Sequence, residues 1–167
     1  MRSLINEINY RNATLDDAEL IKSLALTAFK NNEGLFLPLE PTEHNATVFY
    51  MLEIRPAIIN QDPCLLAFDR DKPVAISCCS TGVNTAYNLK KKMAVGILTT
   101  TITSHRRKGI ANELRKVMMQ DLKRKGITSV LSDISITNLA SEKGCKKITK
   151  QENLSFKEIS IKYECEI

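Results

Sequence analysis

The chain has 167 residues, of which 43% are hydrophobic and 26% charged, with a formal net charge of +5. These values are typical of globular proteins, and the length suits one domain over residues 1–167 that buries about 70% of its unfolded surface. No apolar segment approaches the roughly 20 residues that span a bilayer, and the N-terminus lacks the apolar core of a secretory signal, so we expect a cytoplasmic protein with no membrane segment.

The five cysteines and two histidines have no spacing typical of metal ligands. We therefore expect free thiols in a reducing compartment and no metal site. Much of the positive charge lies in three clusters, at 90–92, 106–108 and 123–125. Aromatic residues do not interleave with these clusters, so the sequence lacks a stacking platform for single-stranded nucleic acid, and nucleic acid is not an expected partner.

Hydrophobic periodicity and turn residues predict the order β-α-α-β-β-β-α-β-α-β, a mixed α/β fold around one sheet. Thr14 is a candidate N-cap, with Asp17 as the acidic member of a capping box. Pro56 is expected to kink or end the second helix. The predicted elements are strand 5–11, helix 14–29, helix 43–54 or 43–59, strands 64–68 and 74–79 joined by a turn at 69–73, strand 94–103, a helix from 110 to a glycine stop at 126, strand 129–136, helix 138–150 and strand 156–163.

The segment from His105 to Ala111 lies between a predicted strand and a predicted helix. Such a turn directs free backbone N–H groups and the positive end of a helix dipole at one point, which favours an anion. Gly109 lets the backbone approach the anion because it has no Cβ, and the three basic residues at 106–108 add positive charge. A pyrophosphate is the expected occupant.

This segment resembles the signature of the GNAT superfamily of acyl-CoA N-acyltransferases, Gln/Arg-x-x-Gly-x-Gly/Ala, at Arg106, Gly109 and Ala111. The resemblance implies a GNAT-like fold and acetyl-CoA as co-substrate, with pyrophosphate on the backbone amides of about 107–112 and pantetheine paired with the strand at about 101–103. The implied cofactor-binding residues are Thr101, Ile102, Thr103, Arg106, Arg107, Lys108, Gly109, Ile110, Ala111, Asn112 and Asn138.

A second match to the same family lies nearer the C-terminus. Asn138 and Ser141 match an asparagine and a small residue that the family often has beside the pantetheine arm, and 154–156 replaces its Leu-Gly-Phe. Cys145 stands where the family often has a tyrosine, and the interval from Asn138 to Phe156 is about six residues longer than usual. The family's seventh strand is expected to be missing or supplied by a partner.

Acyl transfer to an amine requires a group that accepts the proton of the amine, whose pKa is about 10 when free. Residues 29–35 are similar to the Phe-x-x-x-Glu-Pro-Leu segment of the arylalkylamine and dopamine N-acetyltransferase branch, which implies Glu33 as the general base, although Gly34 replaces the proline. Ser141 and Cys145 are both candidates for the general acid. His105 has a structural or phosphate-adjacent role in this interpretation.

The sequence thus predicts an N-acetyltransferase that acts on a small primary amine, with a homodimer as a candidate assembly. Two alternatives remain. One is a pseudoenzyme that binds acyl-CoA without turnover, which the absent tyrosine favours. The other is a basic nucleic-acid-binding module, whose affinity would fall steeply with salt and would not depend on Gly109.

Overall fold

A computed structural model describes residues 8–31, 40–83, 92–132 and 139–151, and within them one five-stranded sheet has its strands side by side in chain order. The first four strands pair antiparallel with one another, whereas the fifth pairs parallel with the fourth. This sheet confirms the predicted mixed α/β class. The strands are β1 (Ile8–Asn12), β2 (Cys64–Asp69), β3 (Lys72–Ser80), β4 (Met93–Thr101) and β5 (Ser129–Leu131).

Helices cover both faces of this sheet. The first three pack on one face, where Ile21, Phe29 and Ile54 enter a core with side chains of β2, β3 and β4. The fourth packs on the other face through Ile110 and Leu114. None of the described helices is long and apolar enough to cross a membrane. The helices are α1 (Ala18–Lys30), α2 (Glu43–Phe49), α3 (Arg55–Ile59), α4 (Ile110–Arg124) and α5 (Leu139–Gln151).

The start of the first helical segment follows the predicted capping pattern. The Asp17 carboxylate accepts hydrogen bonds from the N–H and the hydroxyl of Thr14, at 2.8 and 3.1 Å. Arg11 donates two more to the same carboxylate, both at 2.7 Å. These donors, the Arg11 guanidinium foremost, lower the pKa of Asp17 to about 2. One turn of 3₁₀ helix, Leu15–Asp17, precedes α1.

The second predicted helix continues past its proline. Between α2 and α3 lies a π-helical segment, Tyr50–Ile54, and Pro56 falls in the first turn of α3. Because first-turn N–H groups have no acceptor within an α-helix, a proline there costs little. The irregularity therefore precedes Pro56, and helical structure extends to Ile59.

Several strand boundaries differ from the prediction. The turn between β2 and β3 contains only Arg70 and Asp71, and Arg70 has a φ of 56°. The strands extend into the predicted five-residue turn because Pro73 pairs with Phe68 at an irregularity in the ladder. Strand β4 ends at Thr101, since the next residues form the 3₁₀ turn Thr103–His105. The predicted strand at 156–163 and the first residues of the predicted strand at 5–11 lie outside the described residues.

Helix α4 is the crossover that parallel strands β4 and β5 require. It ends as predicted at Gly126, whose φ is 73°. The N–H groups of Gly126 and Ile127 donate to the carbonyls of Lys123 and Leu122, at 2.9 and 3.0 Å. This pair of bonds is the Schellman motif, in which a left-handed glycine ends the helix.

The described pairing of β4 with β5 spans three residues of each strand, and residues 133–138, which follow β5, lie outside the described residues. Met93, Ala94 and Val95 are in register with Ser129–Leu131, and no later pairs are found among the described residues. On its other edge β4 pairs with β3 as far as Thr101, with Ile97 as an extra residue that has no partner on β3. In the described part of the chain, the C-terminal half of β4 therefore has a neighbouring strand on one side only.

Candidate active site

A cleft of about 410 Å³ lies beside this one-sided half of β4. The end of β4 forms one wall, through residues 99–101. The turn after β4 and the first turns of α4 form the floor, and α5 forms the facing wall. The lining residues are Thr99, Thr100, Thr101, His105, Arg106, Arg107, Gly109, Ile110, Ala111, Asn112, Arg115, Lys143, Gly144 and Lys147.

Gly109 is the N-cap of α4 and lies in the floor of the cleft. Its φ is 84°, a left-handed conformation that glycine adopts without steric cost, and no side chain caps the helix there. The first helical bond of this turn joins the N–H of Glu113 to the Gly109 carbonyl, at 3.0 Å. Helix geometry leaves the N–H groups of 110–112 without an intrahelical acceptor, so they provide donors for an anion at the positive end of the dipole.

The Thr101 hydroxyl lies at the junction of the β4 wall and the floor. Thr101 is 8% exposed, and its Oγ1 has no hydrogen-bond partner in the described structure. A buried hydroxyl without a partner costs about 1–3 kcal/mol, so its position favours a ligand with a polar group there. Thr99, two residues earlier, is already satisfied, because its hydroxyl lies 2.8 Å from the Ser77 hydroxyl.

Contacts with neighbouring strands hold the basic turn in place. The Arg106 Nε donates to the Thr101 carbonyl at 3.1 Å, which folds the side chain against the end of β4. His105 Nε2 lies 2.9 Å from the Asp69 carboxylate, at the end of β2, and its Nδ1 lies 3.0 Å from the Ser104 hydroxyl. Both ring nitrogens are thus engaged, and the imidazole ties the turn to the sheet.

Positive charge dominates the cleft. Five of its lining side chains are Arg or Lys, and among the described lining residues there is no Asp or Glu. Such a surface attracts an anionic ligand, and the low exposure of Arg115, 9%, reduces the screening of its charge by water. Within the described residues, no group of three or more His, Cys, Asp or Glu could hold a metal ion.

The structure brings together most of the described residues predicted to bind the cofactor. Thr101, Arg106, Arg107 and the segment 109–112 line the cleft, whereas Ile102, Thr103 and Lys108 are absent from the described lining. Asn138 and Glu33 lie outside the described residues, as does the side chain of Ser141. Cys145 is partly buried on α5 and is likewise absent from the described lining.

The residues that line the cleft opposite the signature turn were not predicted from the sequence. Arg115, Lys143, Gly144 and Lys147 all line the cleft. The two lysines are four residues apart, a spacing that puts them on one face of a helix, but that pattern is also typical of a solvent-exposed face. Asp69, the partner of His105, is 36 residues away in sequence and had no local signal.

Several solved structures share this architecture. The structure of yncA, a proposed acetyltransferase of Salmonella typhimurium solved with its cofactor acetyl-CoA, superposes with a TM-score of 0.68 at 14% identity, over 85% of this chain and 78% of that one. This chain therefore has the GNAT acetyltransferase fold. At this identity, the likeness establishes the GNAT fold and not the activity. No protein-family model matches the sequence, and no curated protein matches it significantly.

Two other solved structures with the same fold have longer chains than this protein. Diaminobutyrate acetyltransferase of Paenibacillus lautus, solved with L-2,4-diaminobutyric acid and coenzyme A, has a TM-score of 0.64 at 16% identity, over 89% of this chain and 78% of that one. An acetyltransferase assigned in Pyrococcus horikoshii has a TM-score of 0.61 at 23% identity, over 83% of this chain. This chain spans only 42% of the Pyrococcus protein.

Proposed function

We propose that the protein is an acetyl-CoA-dependent N-acetyltransferase that acts on a small primary amine. The observation that carries this proposal is the uncapped N-terminus of α4 at Gly109, which opens into a cationic cleft beside the one-sided half of β4. The GNAT fold supports the proposal, and so does acetyl-CoA as the cofactor in the Salmonella structure.

The described residues fit two polar parts of acetyl-CoA, the pyrophosphate and the pantetheine amides. The N–H groups of 110–112 suit the pyrophosphate, and Gly109 leaves its approach open, because a Cβ built there meets no atom within 4 Å. The edge of β4 at 99–101, which has no neighbouring strand on this side among the described residues, suits the pantetheine amides, which can pair with it as a strand would. The unsatisfied Thr101 hydroxyl adds one further polar contact at the junction.

Acetyl-CoA, when bound, supplies an activated acyl thioester. A backbone N–H of β4 beyond Val95 can donate to the thioester oxygen, because β4 has no β5 partner there among the described residues. Glu33 is the proposed base, which takes the proton of the attacking amine directly or through water. Ser141 and Cys145 both remain proposals for the group that protonates the departing thiolate.

The acceptor is proposed to be a primary amine on a small molecule, with the arylalkylamine-like class as the first candidate. The similarity of residues 29–35 to that branch supports the choice of class. Diaminobutyric acid, bound in the Paenibacillus structure, is also a small primary amine. A cytoplasmic location and a homodimer stay predictions from the sequence.

Calorimetric titration with acetyl-CoA, followed by a thiol-release assay on a panel of primary amines, tests the proposal. We expect micromolar binding and turnover on at least one arylalkylamine. Binding without turnover on any amine would favour the pseudoenzyme, to which Cys145 in place of the tyrosine points. No binding would refute the cofactor assignment, and salt-sensitive nucleic-acid binding would then favour the basic module.

The variant Glu33→Gln tests the base. We expect kcat to fall most near neutral pH, because the amine is protonated there and an amide cannot accept its proton, while the Kd for coenzyme A stays unchanged. Glu40→Gln is the matched control, because Glu40 is an exposed glutamate near the same segment. If the pH profile of the Glu33 variant overlays that of the parent, Glu33 is not the base.

A further inference from the structure

The wall of the cleft formed by α5 adds positive charge beyond the groups that would bind a pyrophosphate at the N-terminus of α4. Arg106 and Arg107 lie on the turn beside that N-terminus, whereas Lys143 and Lys147 approach from α5. Neither lysine has an ion-pair partner among the described residues. We call Arg115, Lys143 and Lys147 the helix wall.

The two helix-wall lysines lie one turn apart on the same face of α5. Like charges at this spacing destabilise a helix by about 0.2–0.5 kcal/mol, a cost that an anion bound between them removes. Lys146, between them in sequence, forms an ion pair with Glu142 and is absent from the described lining of the cleft. Of these three lysines of α5, two therefore line the cleft and one is neutralised by a carboxylate.

Gly144 brings the helix wall together. A Cβ at this position would lie 2.5 Å from Arg115 Nη1 and 3.1 Å from Asn112 Oδ1. The absence of a side chain lets α5 pack directly over the Arg115 guanidinium, so that the guanidinium and the two ammonium groups border the same space. A planar guanidinium with flanking ammonium groups suits the several oxygens of a phosphate.

We propose that the helix wall binds a phosphomonoester, the 3′-phosphate of coenzyme A, and thereby selects coenzyme A over dephospho-coenzyme A. A phosphomonoester carries a charge of about −1.5 to −2 at neutral pH and three acceptor oxygens, which matches three clustered cations. A carboxylate offers less charge and fewer oxygens. This inference rests on the proposed function, since it concerns the second anionic group of the same co-substrate.

Calorimetry with coenzyme A and dephospho-coenzyme A tests the helix wall. We expect the parent to bind coenzyme A about 10- to 100-fold more tightly. In the double variant Lys143→Ala/Lys147→Ala, the ratio of the two Kd values should fall to within about threefold, while the Kd for dephospho-coenzyme A stays unchanged. Lys146→Ala, on the same helix, should keep the parent ratio.

Each other outcome overturns either the inference or the proposal beneath it. Equal affinity of the parent for both ligands, or an unchanged ratio in the double variant, refutes the helix wall and leaves the acetyltransferase proposal standing. If the double variant loses the same affinity for both ligands, the lysines attract anions in general, and this also refutes the helix wall. Binding of neither ligand by the parent refutes the proposed function itself. Adenosine 3′,5′-bisphosphate should compete with coenzyme A for the parent and far less for the double variant.

Discussion

Helix α4 has a left-handed glycine at each end, which allows a controlled test of the anion site. Gly109 has a φ of 84° and Gly126 a φ of 73°, and a Cβ at either position meets no atom within 4 Å. Replacement of each by alanine therefore imposes the same kind of backbone strain without a steric clash. Of these two glycines, only Gly109 lines the cleft.

The expected loss of stability is similar for the two variants. A left-handed conformation costs an alanine about 1–2 kcal/mol. The smaller conformational entropy of the unfolded chain returns about 0.4–1 kcal/mol of that cost. Gly109→Ala and Gly126→Ala should thus each lower the free energy of unfolding by about 1 kcal/mol, or the Tm by about 2–4 °C for a chain of this size.

The expected binding results differ. The methyl group of Gly109→Ala stands where a phosphate approaches the free N–H groups of α4, so we expect the Kd for acetyl-CoA to rise by at least about tenfold, or about 1.4 kcal/mol. Gly126→Ala should bind as the parent does. Thermal unfolding and calorimetry on both variants measure the two effects separately. Equal affinities in the two variants, whether retained or lost, would refute the anion site at Gly109.

Three further predictions concern the fold. Asp17→Asn should lower the free energy of unfolding at pH 7 by about 1–2 kcal/mol, a figure discounted because Arg11 is half exposed. Because the pKa of Asp17 is depressed in the native state, urea titrations should show a difference from the parent that shrinks as the pH falls from about 4 towards 2. A constant difference across that range would contradict it. Burial raises the pKa of the Cys79 thiol to about 12, so iodoacetamide at pH 8 should label Cys145 of the native protein well before Cys79. Peptide mass spectrometry measures the two labelling rates, and equal rates would argue against this burial. Leu114→Ala should cost about 2–4 kcal/mol in urea unfolding, since Leu114 is 1% exposed, and a loss below about 1 kcal/mol would mean that α4 does not pack on the sheet as described.

Features set by neighbouring residues could be predicted from the sequence. The apolar stripe of α4, its start at Gly109 and its stop at Gly126 all depend on local patterns, and the structure has each of them. The capping contact between Thr14 and Asp17 is equally local. The signature turn was found for the same reason, because its residues are contiguous.

Features set by contacts between distant residues could not be predicted. The end of β4 at Thr101 depends on a 3₁₀ turn that Asp69 helps to hold through His105. The two-residue turn after β2 depends on the irregular pairing of Phe68 with Pro73. The helix wall brings together residues of α4 and α5, with Gly144 against Arg115, so no spacing within α5 could reveal that its lysines line the cleft.

In the described part of the chain, the C-terminal half of β4 has a neighbouring strand on one side only, which bears on the behaviour of the protein in solution. A strand that is paired on one side only is an edge, and exposed edges recruit strands of other molecules, which leads to aggregation. Natural sheets protect such edges with charged side chains, above all lysine. The cations around this cleft border the half-paired end of β4, so they repel other copies of a chain whose net charge is +5 while they attract an anion. We therefore expect replacement of these side chains by neutral ones to lower both the solubility of the protein and its affinity for anions.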